Sequence, residues 1–210
     1  AFICRWLPKH MATLLSNKGH RIFLLPASGA AFEASAVKTE ATDDLYDFWL
    51  GVNWWVDAEQ TAAILALLPV HILIVDHYAL DHRWESMQAE HCSLLMVIDD
   101  LHNRSHNADI LLDQNLNRSR VSYRGLIGDE CELLLGPKYA LLRPEFSQHR
   151  PESIKRRAEF KIEQIMISMG GIDVNDASGR ILESLALNDR FLRKKIVVVL
   201  GQSSPSLQRL

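Results

Sequence analysis

His71-Ile72-Leu73-Ile74-Val75-Asp76-His77-Tyr78 decides the fold. It begins as a short apolar run rich in β-branched residues and ends on three polar groups. The run Ile72–Val75 does not alternate apolar with polar. That pattern is expected of a strand buried on both faces, in a parallel sheet covered by helices. Ile196-Val197-Val198-Val199-Leu200 reads the same way. Working outward, further runs of this kind lie at Phe2–Cys4, Arg21–Leu25, Leu94–Ile98, Ile110–Leu112, Cys131–Leu135 and Ile165–Ser168. Segments of helical period separate them. Lys9–Asn17 follows Pro8 and stops before Lys18-Gly19. Asp57–Leu68 starts on an acidic N-cap and is closed by Pro69. Asp81–Glu90 and Asn175–Leu187 complete the set. Strand–helix alternation of this kind predicts doubly wound α/β layers.

The chain has 210 residues, 48% of them hydrophobic, enough for a sizeable core. Its formal charge of −3 gives no broad attraction to nucleic acid or to an anionic membrane. Lys155-Arg156-Arg157, the one tight basic cluster, reads as a solvated helix face. Cys4, Cys92 and Cys131 form no CxxC pair, and an odd number of scattered thiols suits a reducing compartment. No apolar run approaches the ~18 residues that span a bilayer. The opening Ala1-Phe2-Ile3-Cys4-Arg5 lacks the pattern of a secretory leader. A soluble cytoplasmic protein, monomeric, is expected.

Polarity changes at Arg143-Pro144-Glu145-Phe146. Residues 1–146 read as a first domain, 147–160 as a polar linker, and 161–210 as the start of a second domain with its own strand, Gly-Gly turn and helix.

Ligands of open parallel sheets bind beyond the carboxyl ends of the strands, so the residues that follow each strand are the site candidates. Asp76, His77 and Tyr78 put a carboxylate, an imidazole and a phenol on one loop, groups able to orient a water or move a proton. Capping and packing roles are the alternative for all three. Asp99-Asp100 forms either a like-charge pair or an acidic strand-end turn. Asn115 follows another strand end. In Ser168-Met169-Gly170-Gly171-Ile172-Asp173, two glycines let a ligand approach the backbone, and the helix beginning near Asn175 offers N–H groups to an anion. An ordinary glycine turn is the alternative. Asp99, Asp100, His102 and His106 match no metal-ligand motif. Trp49, Trp54 and Trp55 lie in or near a helical hairpin, Asp43–Leu68, either as core packing or as an aromatic platform for a sugar.

Six segments together carry a resemblance. They are Phe2-Ile3-Cys4-Arg5-Trp6-Leu7-Pro8, Val75-Asp76-His77-Tyr78-Ala79-Leu80, Val97-Ile98-Asp99-Asp100-Leu101, Leu112-Asp113-Gln114-Asn115, the stretch from Leu135-Gly136-Pro137-Lys138-Tyr139 to Phe146, and Ser168–Asp173. In order and spacing they resemble the UDP-2,4-diacetamido-2,4,6-trideoxy-β-L-altropyranose hydrolases. Those enzymes serve pseudaminic acid biosynthesis, which decorates bacterial flagellin and surface polysaccharide. The resemblance implies a glycosyltransferase-B-like fold, two Rossmann-like domains around a cleft. It implies hydrolysis of a UDP-sugar to UDP and free sugar, by C1–O cleavage with inversion, using no metal or other cofactor. Tyr78 would face the sugar or the attacking water, and Gly170-Gly171 would lie on the nucleotide side. Asp99, Asn115, Ser168, Asp173 and Asn175 complete the expected substrate contacts.

Against that family both domains read as incomplete. The first lacks its opening strand and the glycine-rich loop with the supposed histidine base, so the chain alone is expected to be inactive. Two other functions remain open: a glycosyltransferase-B enzyme that passes the sugar to an acceptor, and a non-catalytic binding module.

Overall fold

The computed structural model describes residues 1–26, 47–159, 161–191, 193–201 and 204–208. In chain order its elements are β1 (Phe2–Cys4), α1 (Lys9–Asn17), β2 (Ile22–Leu24), α2 (Asp47–Leu50), α3 (Trp54–Leu65), β3 (Ile72–Val75), α4 (His82–Gln88), β4 (Leu94–Ile98), β5 (Ile110–Asp113), β6 (Glu132–Leu135), α5 (Pro144–Arg157), β7 (Gln164–Ile167), α6 (Ala177–Ala186) and β8 (Lys195–Val198). Every strand pairing among them is parallel. β1 pairs with β2, β3 to β6 form a sheet in that order, and β7 pairs with β8. The chain is α/β with parallel, Rossmann-like sheets. The tryptophan hairpin falls partly outside the described residues, which resume at 47.

The chain separates into two units, Ala1–Leu141 and Leu142–Leu210. The polar stretch expected as a linker over 147–160 is mostly helix, since α5 runs from Pro144 to Arg157. Pro144 starts it at a position where a missing N–H costs nothing, and the Lys155-Arg156-Arg157 cluster falls in its last turn, where cations suit the helix dipole. None of its residues is buried.

In the first unit, α3 and α4 pack on one face of the four-stranded sheet. Ala58 and Trp84 from the helices meet Val75, Leu95 and Val97 from the strands. The inner strands fit the expectation of burial on both faces, with Leu111 and Leu112 at 0% and 1% exposure. β3 does not. Among the described strands it ends its sheet, and Ile72 and Ile74 are 58% and 57% exposed while Val75, pointing the other way, is buried. Apolar residues without alternation therefore mark this strand correctly but overstate its burial.

Asp57 corrects a second expectation. The α3 helix begins three residues earlier than expected, after Asn53, so Asp57 is no N-cap. Its side chain points into the unit. The Arg5 guanidinium reaches its Oδ2 at 2.7 Å, and the Trp84 indole N–H donates to its Oδ1 at 3.0 Å. Arg5 also donates to Gln60 at 2.8 Å. One carboxylate thus joins the end of β1 to α3 and α4.

In the second unit the loops after β7 and β8 touch. Gly201 N–H donates to the Gly171 carbonyl at 2.8 Å, and a Cβ at Gly201 would lie 2.4 Å from that oxygen. Only glycine fits.

Both contacts set stability. Removing one partner of a buried ion pair costs about 3–5 kcal/mol, because the other charge is left without compensation. Asp57→Ala is expected to destabilise the first unit by about 3 kcal/mol, read from urea unfolding followed by tryptophan fluorescence. Gly201→Ala forces two backbones apart and is expected to cost about 1–3 kcal/mol, as overpacking does. Its signature is faster amide exchange in β7 and β8, with the first unit unaffected.

Candidate functional site at the strand carboxyl ends

Parallel pairing brings the carboxyl ends of β3, β4, β5 and β6 to one edge. Val75 stands opposite Val97, Ile98 opposite Leu112, and Asp113 opposite Leu135. The loops that leave this edge carry Asp76-His77-Tyr78, Asp99-Asp100, and Asn115.

Beneath this edge lies a buried ionic network. Asp99 is 1% exposed. Its carboxylate pairs with Arg104 at 2.9 Å, accepts His102 N–H at 2.9 Å, and stands 3.7 Å from His106 Nε2. His106 Nδ1 meets Glu85 of α4 at 2.7 Å, and Glu85 also accepts Asn107 N–H at 2.6 Å. Arg104 Nε donates to the Leu80 carbonyl, tying the β4 loop to the β3 loop. On the other side, the buried Tyr123 hydroxyl donates to Asp113 at 2.9 Å and lies 3.1 Å from the Asp99 carbonyl. Arg118 pairs with Asp113 at 2.7 Å and donates to the Asp100 carbonyl. Burial and the Asp113 hydrogen bond push the Tyr123 phenol far up, so it stays a donor.

Above the network sit the half-buried and exposed groups. The Tyr78 ring lies 5.9 Å from the Trp49 ring, with the Arg104 guanidinium 5.9 Å over it. A hydrogen bond to Asp100, first, and burial, second, raise its phenol above the ordinary value. His77 Nδ1 accepts Ala79 N–H at 3.1 Å, and burial, the largest influence, holds its imidazole below the ordinary value. The ring is therefore neutral, with its Nδ1 lone pair already engaged. Asp76 is exposed. Asn115 is also exposed, its N–H donating to Asp113 and its amide 3.5 Å from the Asp100 carbonyl. The structure thus gathers Tyr78, Asp100 and Asn115 above a frame that includes Asp99.

Arg104, Arg118 and Tyr123 build that frame without having been marked by any motif, and Asp113 stood in a marked segment, Leu112-Asp113-Gln114-Asn115, without being named as a site residue. A titratable residue directly after a strand was the only available signal, and it singled out Asp113 no better than its neighbours.

The second unit has its own loop site. Ser168, Gly170, Gly171 and Asn175 are exposed along the turn after β7. Asp173 is buried, and its carboxylate accepts the N–H groups of Ala177 and Ser178, each at 2.9 Å. The Ser178 side chain, the largest influence, and those N–H bonds hold its carboxyl below the ordinary value. Asp176 is held in turn by the Ser206 hydroxyl at 2.8 Å. The N-terminus of α6 is thus capped from within. The left-handed glycine of the Gly-Gly pair is Gly170, at φ +86°, while a Cβ at either glycine would meet open space. Left-handed backbone at non-glycine residues occurs, among the described residues, at His102, Asn117, Asp173 and Asp176. All four lie in loops that follow strands, where strained backbone often marks function. No group of three or more His, Cys, Asp or Glu among the described residues is placed to hold a metal ion. No described helix is long and apolar enough to cross a membrane.

The network makes stability depend on pH in two windows. Burial opposes the charge on Asp99, but the His106 hydrogen bond, the Arg104 charge and His102 N–H outweigh it, lowering the carboxyl from 3.8 to about 2. Its stabilisation is present above 3.8 and lost as pH falls toward 2. Burial likewise opposes the charge on His106, but Asp99 and Glu85 together raise its pKa above 6.5. Its stabilisation is complete below 6.5 and lost as pH rises through the folded value. Melting temperatures are expected to fall on both sides of a weakly acidic optimum. Asp99→Asn should flatten the acid limb and His106→Gln the alkaline limb.

No family model matches the chain. It is 30% identical over 139 residues to the UDP-2,4-diacetamido-2,4,6-trideoxy-beta-L-altropyranose hydrolase of Campylobacter jejuni, covering 66% of this chain and 47% of that enzyme. It is 29% identical over 133 residues to an uncharacterised protein of Methanocaldococcus jannaschii, covering 62% of this chain and 27% of that protein. The chain thus spans about half the length of the first relative and about a quarter of the second, and its similarity is to a UDP-sugar hydrolase.

Proposed function

We propose that this chain carries sugar-side and nucleotide-side loops of a UDP-sugar hydrolase acting in pseudaminic acid biosynthesis. The observation behind the reading is the Tyr78 phenol. It leans on Asp100 beside the half-exposed Trp49 ring, at the edge where parallel sheets bind ligands, in a chain similar to such a hydrolase. In the proposed reaction water attacks the anomeric carbon, the C1–O bond to the diphosphate breaks, UDP leaves, and the water's proton passes to a base. Tyr78 orients the sugar or the water. Neutral His77 and exposed Asp76 border the same loop. Asn115 extends the sugar side. Ser168, Gly170, Gly171 and Asn175 meet the nucleotide, with Asp173 shaping their turn.

A glycosyltransferase-B-like arrangement of two Rossmann-like domains, lying over residues 1–146 and 161–210, belongs to the same reading.

The decisive assay is UDP release from the UDP-linked diacetamido-altrose, using the full reading frame of the gene. Release in water alone, with inversion at C1, is expected. Release only when an acceptor is added would mean a transferase, and UDP binding without release a binding module.

Two variants separate the loops. Gly170→Val strains a left-handed turn where UDP is proposed to bind, so UDP affinity should fall about tenfold in calorimetry, and turnover with it. Tyr78→Phe removes a hydroxyl from the sugar side. UDP affinity should be unchanged while turnover falls by ~10²-fold, the loss that misplacing a reacting group can cause. Equal loss of UDP affinity in both variants would place one loop on the wrong side.

A further inference from the structure

We propose that Trp49 is the specificity residue of the sugar side, an aromatic platform that receives the methyl groups of an acetamido, deoxy sugar and disfavours a fully hydroxylated one. The identity of the sugar rests on the hydrolase reading; the platform itself rests on geometry. The Trp49 ring centroid lies 5.9 Å from that of Tyr78, with the two planes 37° apart. A tilted pair of this kind covers one face of an indole at most, and Trp49 is 54% exposed. A ligand that touches Tyr78 therefore has room over the neighbouring indole.

The local sequence puts the ring there. Trp49 and Leu50 are adjacent at the end of α2. Leu50 is buried in the core with Ala58, Val75, Leu80 and Trp84, and Gly51, at φ +73°, turns the chain immediately afterwards. With Leu50 anchored inward, Trp49 is carried to the outside of the same short helix. Other tryptophans have structural work. Trp84 is buried with its indole N–H on Asp57, and Trp54 packs against the core with the Arg83 guanidinium 5.0 Å over its ring. Trp6 and Trp55 are exposed as well, and exposure alone marks nothing. Trp49 is set apart by standing against Tyr78. That neighbour is fixed, because the Arg104 guanidinium lies 5.9 Å over the Tyr78 ring while paired with Asp99 and bonded to the Leu80 carbonyl.

The chemistry of an indole face decides what it selects. It is apolar, with a negative quadrupole, so it favours C–H surface over hydroxyls. The sugar proposed above carries a methyl group in each acetamido group and another at C6, at positions where an ordinary hexose has hydroxyls. Methyl groups laid on the ring leave water at a gain. A hydroxyl in the same place would lose its water and find no acceptor or donor in return. Tyr78 with Asp100 supplies the polar part of the site and Trp49 the apolar part, side by side.

The test uses the protein made from the full reading frame. Trp49→Ala is expected to raise KM for the UDP-linked diacetamido-altrose about tenfold, the low end of what one lost apolar contact is worth, with a smaller change in kcat. Trp49→Phe keeps an aromatic face and should recover most of the loss. In 15N NMR the Trp49 indole N–H signal, assigned from Trp49→Phe, should move with free 2,4-diacetamido-2,4,6-trideoxy-altropyranose and stay in place with altrose. An unmoved signal, an equal response to both sugars, or an unchanged KM in Trp49→Ala would overturn the proposal. If Trp49→Ala fails to fold, the indole titration of the unaltered protein decides alone. A selective indole response without UDP release would sink the hydrolase reading and keep the platform. UDP release with KM unchanged in Trp49→Ala would do the reverse.

Discussion

A carboxylate in a dry interior has to be compensated, and Asp99 organises the first unit around that requirement. It is buried immediately after β4, where an ionised group loses its water and regains nothing from apolar neighbours. The compensating groups all come from the loop that follows β4, and two of them reach beyond it. Arg104 brings the Leu80 carbonyl of the β3 loop with it. His106 brings Glu85 of α4. His102 gives its backbone N–H and is left with a left-handed φ. Satisfying one acid therefore fixes two loops and a helix, and the positions of Tyr78 and Asp100 follow. Networks of this kind rigidify when complete and are costly when broken.

The same logic recurs in the second unit with different parts. Asp173 is the buried acid past β7, and its compensation is the N-terminus of α6. Those N–H groups and the partial positive charge they carry are ordinarily what a strand–turn–helix unit offers to phosphate. Here the chain's own carboxylate takes them. In the proposed reaction, charge stabilisation for the diphosphate then falls to the exposed turn before Asp173, where Gly170 holds the left-handed φ. In both units the buried acid builds the frame, and its exposed neighbours are left for ligand.

This division explains what the sequence could and could not disclose. The strands were legible because a run such as Leu94–Ile98 has no polar residue to place it elsewhere, and the positions of Tyr78 and the Gly-Gly turn followed from strand ends. The roles of neighbouring acids were not. Asp99 and Asp100 are identical in type and adjacent, yet one is a buried strut and the other a rim group, because the chain turns between them. Asp57 looked like a helix cap because a cap and an inward-facing acid one turn later look the same without Arg5 and Trp84, each more than 25 residues away. Burial of Ile72 and Ile74 was overestimated because apolar content reports what a strand prefers, whereas exposure depends on its place at the end of the sheet. Arg104, Arg118 and Tyr123 form no local pattern, since their partners are set by tertiary structure alone.

The three polar groups that end the fold-defining stretch also differ in what chemistry they permit. Asp76 is exposed, so water screens its charge. His77 is neutral, and one ring nitrogen is engaged by its own loop, which leaves Nε2 alone to meet a water. Tyr78 is held by Asp100, and that hydrogen bond raises its phenol, so near neutral pH it keeps its proton. A phenol in that state is a hydrogen-bond donor and cannot act as the base that deprotonates water. Its contribution to the proposed hydrolytic step is orientation, because a donor fixed beside an aromatic ring selects where an oxygen sits without accepting its proton.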